Sequence, residues 1–167
     1  VMGVAATRRI VLSDTLIAAF TQEEIEFVLY HELGHHIERH IPLQLLWNTA
    51  LTYAALWAGA RFLPAAAAAS GRDALSLDYL PVWLFCGVAA DLAGRPLVLY
   101  CSRWLEMRAD AYALRRQRRA DVARSALTKL SELNLSHPSP PEWEKWLFYT
   151  HPPLPERLRH ARAILPA

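Results

Sequence analysis

Cysteine is scarce in this chain. Cys86 and Cys101 are the only two in 167 residues, they show no CxxC spacing, and both lie in apolar stretches. Nothing in that pattern supports a disulfide scaffold, and buried free thiols are expected instead. Net charge is also small, 18 Lys and Arg against 16 Asp and Glu for a formal +2. The basic residues are nevertheless unevenly placed, crowding between Arg103 and Arg124. Such a cluster fits a nucleic-acid surface or the cytoplasmic flank of a membrane helix. No aromatic-interleaved RNA motif and no helix-turn-helix signature accompanies it, so nucleic acid is not an expected partner. There is no internal repeat and no initiator Met. The start at Val1 reads as a fragment, with any targeting segment or earlier membrane helices lying upstream of it. Charge is missing altogether from residues 41–60, IPLQLLWNTALTYAALWAGA, a length close to that needed to cross a bilayer core.

Against this background stands HELGHHIERH, residues 31–40, which opens with an H-E-x-x-H. On a helix, residues i and i+4 lie on one face. His31 and His35 can therefore present two imidazole nitrogens to one zinc ion, with Glu32 beside them to polarise a water. A helix is expected here. Thr21-Gln22-Glu23-Glu24 is a capping box, and Ile25, Val28, Leu29 and Leu33 recur at helical spacing. The helix should run to about His40, because Pro42 disfavours continuation at Ile41.

The remaining elements follow in order. Residues 4–12, VAATRRIVL, read as a short strand, and Ser13 or Asp14 caps a helical turn through Phe20. The apolar stretch 41–60 reads as a membrane span more readily than as a buried core helix. Pro64, the alanine run 65–69 and Ser70-Gly71-Arg72-Asp73 read as a loop. A second apolar stretch, Leu80 to Cys101, starts with Pro81 and is interrupted by an Asp91–Arg95 pair and Pro96, making it the less secure span. Helices are expected from Leu97 to Arg119 and from Asp121 to Leu133. A Pro-rich segment over 134–155 contains the turn EWEKWLFY, and ERLRHARAIL closes the chain as a helix.

A catalytic zinc needs three protein ligands and an open position. The third His of the extended metzincin motif would fall at position 41, which is Ile41, and the Gly of that motif is replaced by Glu38. His40 lies off the His31/His35 face of a continuous helix, so His36 and His40 read as surface residues or as supports behind the ligands. Glu106 is the better candidate. Glu106 and Asp110 stand four apart on one helix face, so Glu106 can ligate while Asp110 accepts a hydrogen bond from a ligand imidazole. The alternative is an acidic surface pair offsetting the neighbouring arginines.

With these pieces in place, the chain resembles the integral-membrane zinc metallopeptidases that include the type I CAAX prenyl protease and the HtpX heat-shock protease. TRRIVLSDTL, HELGHHIERH, SRWLEMRADAYAL and THPPLPERLRHA match in order, with two apolar helices between the second and third. The resemblance implies a single domain over 1–167 that is mainly α and zincin-like (gluzincin). It carries a short N-terminal strand and two transmembrane helices, about 42–63 and 80–101, inserted between the zinc-ligand helices. It implies one Zn2+ per chain held by His31, His35 and Glu106, with Glu32 as general base. Asp110 and Arg157 support the ligands from behind, and His151 stabilises the tetrahedral intermediate. The implied activity is a zinc-dependent metalloendopeptidase acting on a peptide or protein substrate.

The implied setting is a lipid bilayer crossed more than once; the high Ala, Leu and Arg content points to a GC-rich bacterial genome, and the membrane expected is therefore a bacterial inner membrane. Basic residues flank the outer ends of both apolar helices, which places the zinc site on the cytoplasmic side. The rival readings are a soluble zinc peptidase with a buried helical hairpin, a non-catalytic membrane-associated adaptor with a degenerate metal site, and an arginine helix binding RNA or phospholipid. Substrate, whether a prenylated C-terminal peptide or a damaged membrane protein, and oligomeric state stay open.

Overall fold

The helix that carries the H-E-x-x-H begins where the capping box requires. In the computed structural model, which describes residues 12–135 and 137–166, Thr21 Oγ1 accepts from the Glu24 N–H at 3.3 Å. Glu24 Oε2 accepts in return from the Thr21 N–H at 2.8 Å. Ahead of it lies the short helix α1, Asp14–Ala19, capped by Ser13. The strand expected over 4–12 falls, apart from Leu12, outside the described residues.

Helix α2 spans Gln22–Ile37, three residues short of the expected end. Pro42 is the physical reason. In a continuous helix its ring would clash with the carbonyl four residues back, that of Glu38. The chain breaks at that point: Arg39 turns left-handed at φ 56°, and α3, His40–Ala69, restarts with Pro42 in its first turn, where a missing N–H costs nothing. The loop expected from Pro64 is not observed either. Five consecutive alanines, the best helix formers, carry α3 past Pro64 to Ala69. The turn comes at Gly71, whose φ of 69° suits a residue without Cβ.

A 3₁₀ turn, Leu77–Tyr79, leads into α4, Leu80–Gln117, which is continuous through Pro96. The Asp91–Arg95 pair forms within it at 2.9 Å. Helices α5, Ala120–Leu133, α6, Glu142–Phe148, and α7, Leu154–Ile164, complete the described residues. No strand occurs among them.

The packed core joins α2, the C-terminal part of α4, α5 and α7 through Phe20, Phe27, Leu114, Val122, Leu127 and small alanines. Glu24 is buried within this head at 4% exposure and clamps α2 to α5. It accepts from Lys129 Nζ and Ser125 Oγ, both at 2.6 Å. Burial by itself would raise its pKa, but these bonds prevail and lower it to about 2.

The other region is the α3–α4 hairpin. Between residues 41 and 101 only Leu63, Ala67, Ala74, Tyr79 and Leu99 are buried, while Leu45, Leu46, Tyr53, Phe62, Leu84 and Phe85 are each more than 60% exposed. The alternative of a buried core hairpin is thus not what the described residues form. Nor do the described residues hold two spans of equal standing. Among them, one helical segment, Leu77–Gln117, is long and apolar enough to cross a membrane. The expected span over 42–63 falls short, because Gln44, Asn48, Thr49 and Thr52 dilute it, so the order of the two is reversed. Cys86 and Cys101 are free but half-buried rather than buried.

Candidate metal centre

Two backbones must come close for a helical His pair to meet a carboxylate on another helix. Gly34, inside the H-E-x-x-H, permits this. A Cβ there would lie 3.1 Å from Tyr112 Cβ and 3.2 Å from Ala109 Cα. With Ala109 fully buried opposite, α2 and α4 pack almost backbone to backbone. The sequence reading missed Gly34, although a glycine in a helix interior is itself a signal of close approach.

This contact brings His31, His35 and Glu106 together. Their candidate ligand atoms lie within 4.8 Å of one another. His31 Nε2 is 3.1 Å from His35 Nε2 and 3.4 Å from Glu106 Oε2, and His35 Nε2 is 3.3 Å from Glu106 Oε1. Ligand atoms about 3.3 Å apart suit a tetrahedral cation held at about 2.0–2.1 Å from each. Glu106 Oε2 is buried without a hydrogen-bond partner, so a cation would satisfy it. The outer nitrogens are already occupied: His31 Nδ1 meets Asp110 Oδ1 at 2.9 Å, and His35 Nδ1 meets His40 Nδ1 at 3.0 Å. The donor set therefore fits a zinc-type ion, with only the inward-facing nitrogens left to bind it.

Electrostatics agree with the geometry. Burial would lower the His31 pKa, yet Asp110 and Glu106 raise it to about 9. A cation has to displace that proton at neutral pH. Burial would raise the Glu106 carboxyl, but the His31 and His35 imidazoles hold it well below the usual carboxylate range. Burial pushes the neighbouring His40 below its ordinary value.

The other expected residues take distinct places. Asp110 is 1% exposed, and Arg157 from α7 donates to both its oxygens, Nε to Oδ2 at 2.7 Å and Nη2 to Oδ1 at 2.6 Å. Arg157 thus fixes the carboxylate that fixes His31. His151 stands at the rim, its side chain 63% exposed, with Nε2 3.5 Å from Glu106 Oε2. Glu32 follows His31 on α2 and is half-buried.

The loop that presents His151 is held by two residues to which the sequence assigns no place in the site. Ser102 Oγ donates to the Thr150 carbonyl at 3.0 Å, and the buried Arg103 donates to the Lys145 and Tyr149 carbonyls at 2.9 and 2.8 Å. Much of the arginine cluster is spent in this way on internal contacts: Arg108 pairs with Glu38, and Arg119 with Glu23 and Asp121. A groove of about 680 Å3, lined by Leu130, Phe148, Tyr149, Leu154 and Arg157 among others, reaches His151.

Comparison with known proteins decides the family. The family model described as Peptidase family M48 matches residues 1–165. The chain belongs to peptidase family M48. Its relatives include an uncharacterized metalloprotease YhfN of Bacillus subtilis (strain 168), 28% identical over 96% of this chain. Two others are named CAAX prenyl protease 1 homolog. The one from Oryza sativa subsp. japonica is 33% identical over 93% of the chain, and the one from Arabidopsis thaliana 35% over 94%. The chain spans 39%, 37% and 38% of these relatives' own lengths. No solved structure matches significantly.

Proposed function

We propose that this chain is the catalytic segment of a membrane-embedded, zinc-dependent endopeptidase. The observation that carries the reading is the convergence of His31 and His35 from α2 with Glu106 from α4, in an M48 chain. His31, His35 and Glu106 would hold the ion. When bound, Zn2+ lowers the pKa of the water it holds and polarises a carbonyl oxygen.

The chain's own residues do the rest. Asp110, braced by Arg157, keeps the proton of His31 on Nδ1 and so leaves Nε2 bare toward the site. Glu32 takes a proton from the attacking water through a carboxylate oxygen and returns it to the leaving amine. His151 Nε2 donates to the oxyanion that forms on the scissile carbonyl. The groove lined by His151 and Arg157 is where the peptide would lie beside these groups.

The exposed apolar hairpin supports a bilayer as its partner, with residues 80–101 of α4 as the span, since apolar patches of this extent are seldom left to water. Asp110, Glu106 and the Arg103–Arg124 cluster follow this span, and the basic flank favours a cytoplasmic site. Two relatives bear the name CAAX prenyl protease 1 homolog, which makes a prenylated C-terminal peptide one candidate substrate. A damaged membrane protein is the other.

The test is peptide cleavage by the detergent-solubilised chain with and without a chelator. Chelation should abolish turnover and added Zn2+ restore it. Turnover indifferent to chelation would overturn the proposal.

A further inference from the structure

On an unbroken helix, five residues past His35 would place a side chain about 140° around the axis from it. The break at Glu38–Arg39 changes this. The left-handed Arg39 swings the start of α3 back, and His40 arrives with Nδ1 3.0 Å from His35 Nδ1 at 2% exposure. Its other nitrogen, Nε2, is 3.2 Å from Glu38 Oε2, and the same oxygen accepts from Arg108 Nε at 2.6 Å. Four residues thus form one line running outward from the candidate metal centre to the surface.

The protons along that line are fixed by chemistry. A His35 that gives its Nε2 lone pair to a cation keeps its proton on Nδ1. That N–H can only donate, so His40 Nδ1 must be the bare acceptor. His40 then carries its proton on Nε2 and donates it to Glu38, whose charge Arg108 balances. Each group plays one role, and no two donors face each other.

We infer that His40 is a positioning residue for the metal ligand His35, acting through the His35–His40–Glu38–Arg108 line as Asp110 and Arg157 act for His31. The two imidazoles of the H-E-x-x-H are thus held by different devices: a carboxylate braced by an arginine behind one, a second imidazole braced by a carboxylate and an arginine behind the other. The inference rests on the reading of His35 as a ligand. It also gives a role to the break in the helix, since without Arg39 in its left-handed conformation His40 would face elsewhere.

The test compares the wild-type full chain in detergent with His40→Leu, His40→Gln and Glu38→Leu. Zn2+ affinity is measured by competition with a chromophoric chelator, and the visible spectrum of the Co2+ form is recorded. His40→Leu should weaken Zn2+ binding by about 10- to 100-fold and alter the Co2+ bands. His40→Gln, whose amide can both accept from His35 and donate to Glu38, should recover most of the affinity. Glu38→Leu leaves the buried His40 in place and covers the case in which His40→Leu fails to fold; a several-fold weakening is expected. Wild-type affinity and spectrum in His40→Leu, or in Glu38→Leu should the former not fold, would overturn the inference alone. So would a glutamine variant as weak as the leucine one. A wild-type chain that takes up no Zn2+ would instead sink the metallopeptidase reading.

Discussion

A methyl group added at Gly34 would meet Tyr112 Cβ at 3.1 Å and the Ala109 backbone at 3.2 Å, whereas one added at Gly94 would meet nothing within 4 Å. The same contrast separates the two regions to which these glycines belong. In the head, formed by α2, the end of α4, α5 and α7, the large apolar side chains face one another, and the charged residues inside, Glu24, Asp110 and Arg157, are paired. In the α3–α4 hairpin the large apolar side chains face outward. The head follows the packing rules of a protein in water. The hairpin follows them only if something apolar covers it. The candidate metal centre lies in the head, at the point where α4 leaves its apolar half.

Substitutions in each region test the difference between head and hairpin. The largest effect is expected at Glu32, whose replacement by Gln should cut peptide cleavage by about 10²–10⁴-fold while Zn2+ stays bound. Retained turnover would remove Glu32 from its role. Next comes core truncation. Leu127→Ala, at a position 1% exposed, should destabilise by about 2–5 kcal/mol. Phe85→Ala, at a position 73% exposed, should stay within about 0.5 kcal/mol in detergent. Equal losses would show that the hairpin packs against something within the chain.

Acid provides a third test. The Glu24 pKa is lowered in the fold, so its stabilisation is complete above about pH 4.5 and is lost as pH falls toward 2. The sign requires Glu24→Gln to lose of order 2 kcal/mol at neutral pH and to flatten the acid decline in that window, read by thermal melts against pH. The two glycines should respond in opposite directions. Gly34→Ala overpacks the α2–α4 contact and should cost about 1–3 kcal/mol. Gly94→Ala should gain about 0.5–1 kcal/mol from helix propensity alone.

How far the sequence could be read follows the same division. His31, His35, Glu106 and Asp110 were legible because helical spacing puts each pair on one face, and the two helices needed only to meet. Arg157 and His151 come solely through family resemblance, since nothing in a Pro-rich segment, or in the short helix that follows it, says what they fold back upon. A continuous helix puts His40 away from the ligand face, and the pre-proline rule puts the break one turn too late. The break lies where the proline ring would strike, at Glu38, rather than at the residue before the proline. Pro64 suggests a loop, but the five alanines that follow it are strong helix formers and carry the helix on.

In the proposed site a carboxylate from α4 completes what two imidazoles on α2 begin. The most direct measurement is the zinc content and Zn2+ affinity of Glu106→Ala beside wild type, in detergent, by elemental analysis and chelator competition. One Zn2+ per wild-type chain is expected, with a loss of affinity in the variant severe enough that it purifies without metal. Unchanged content and affinity in Glu106→Ala would contradict it.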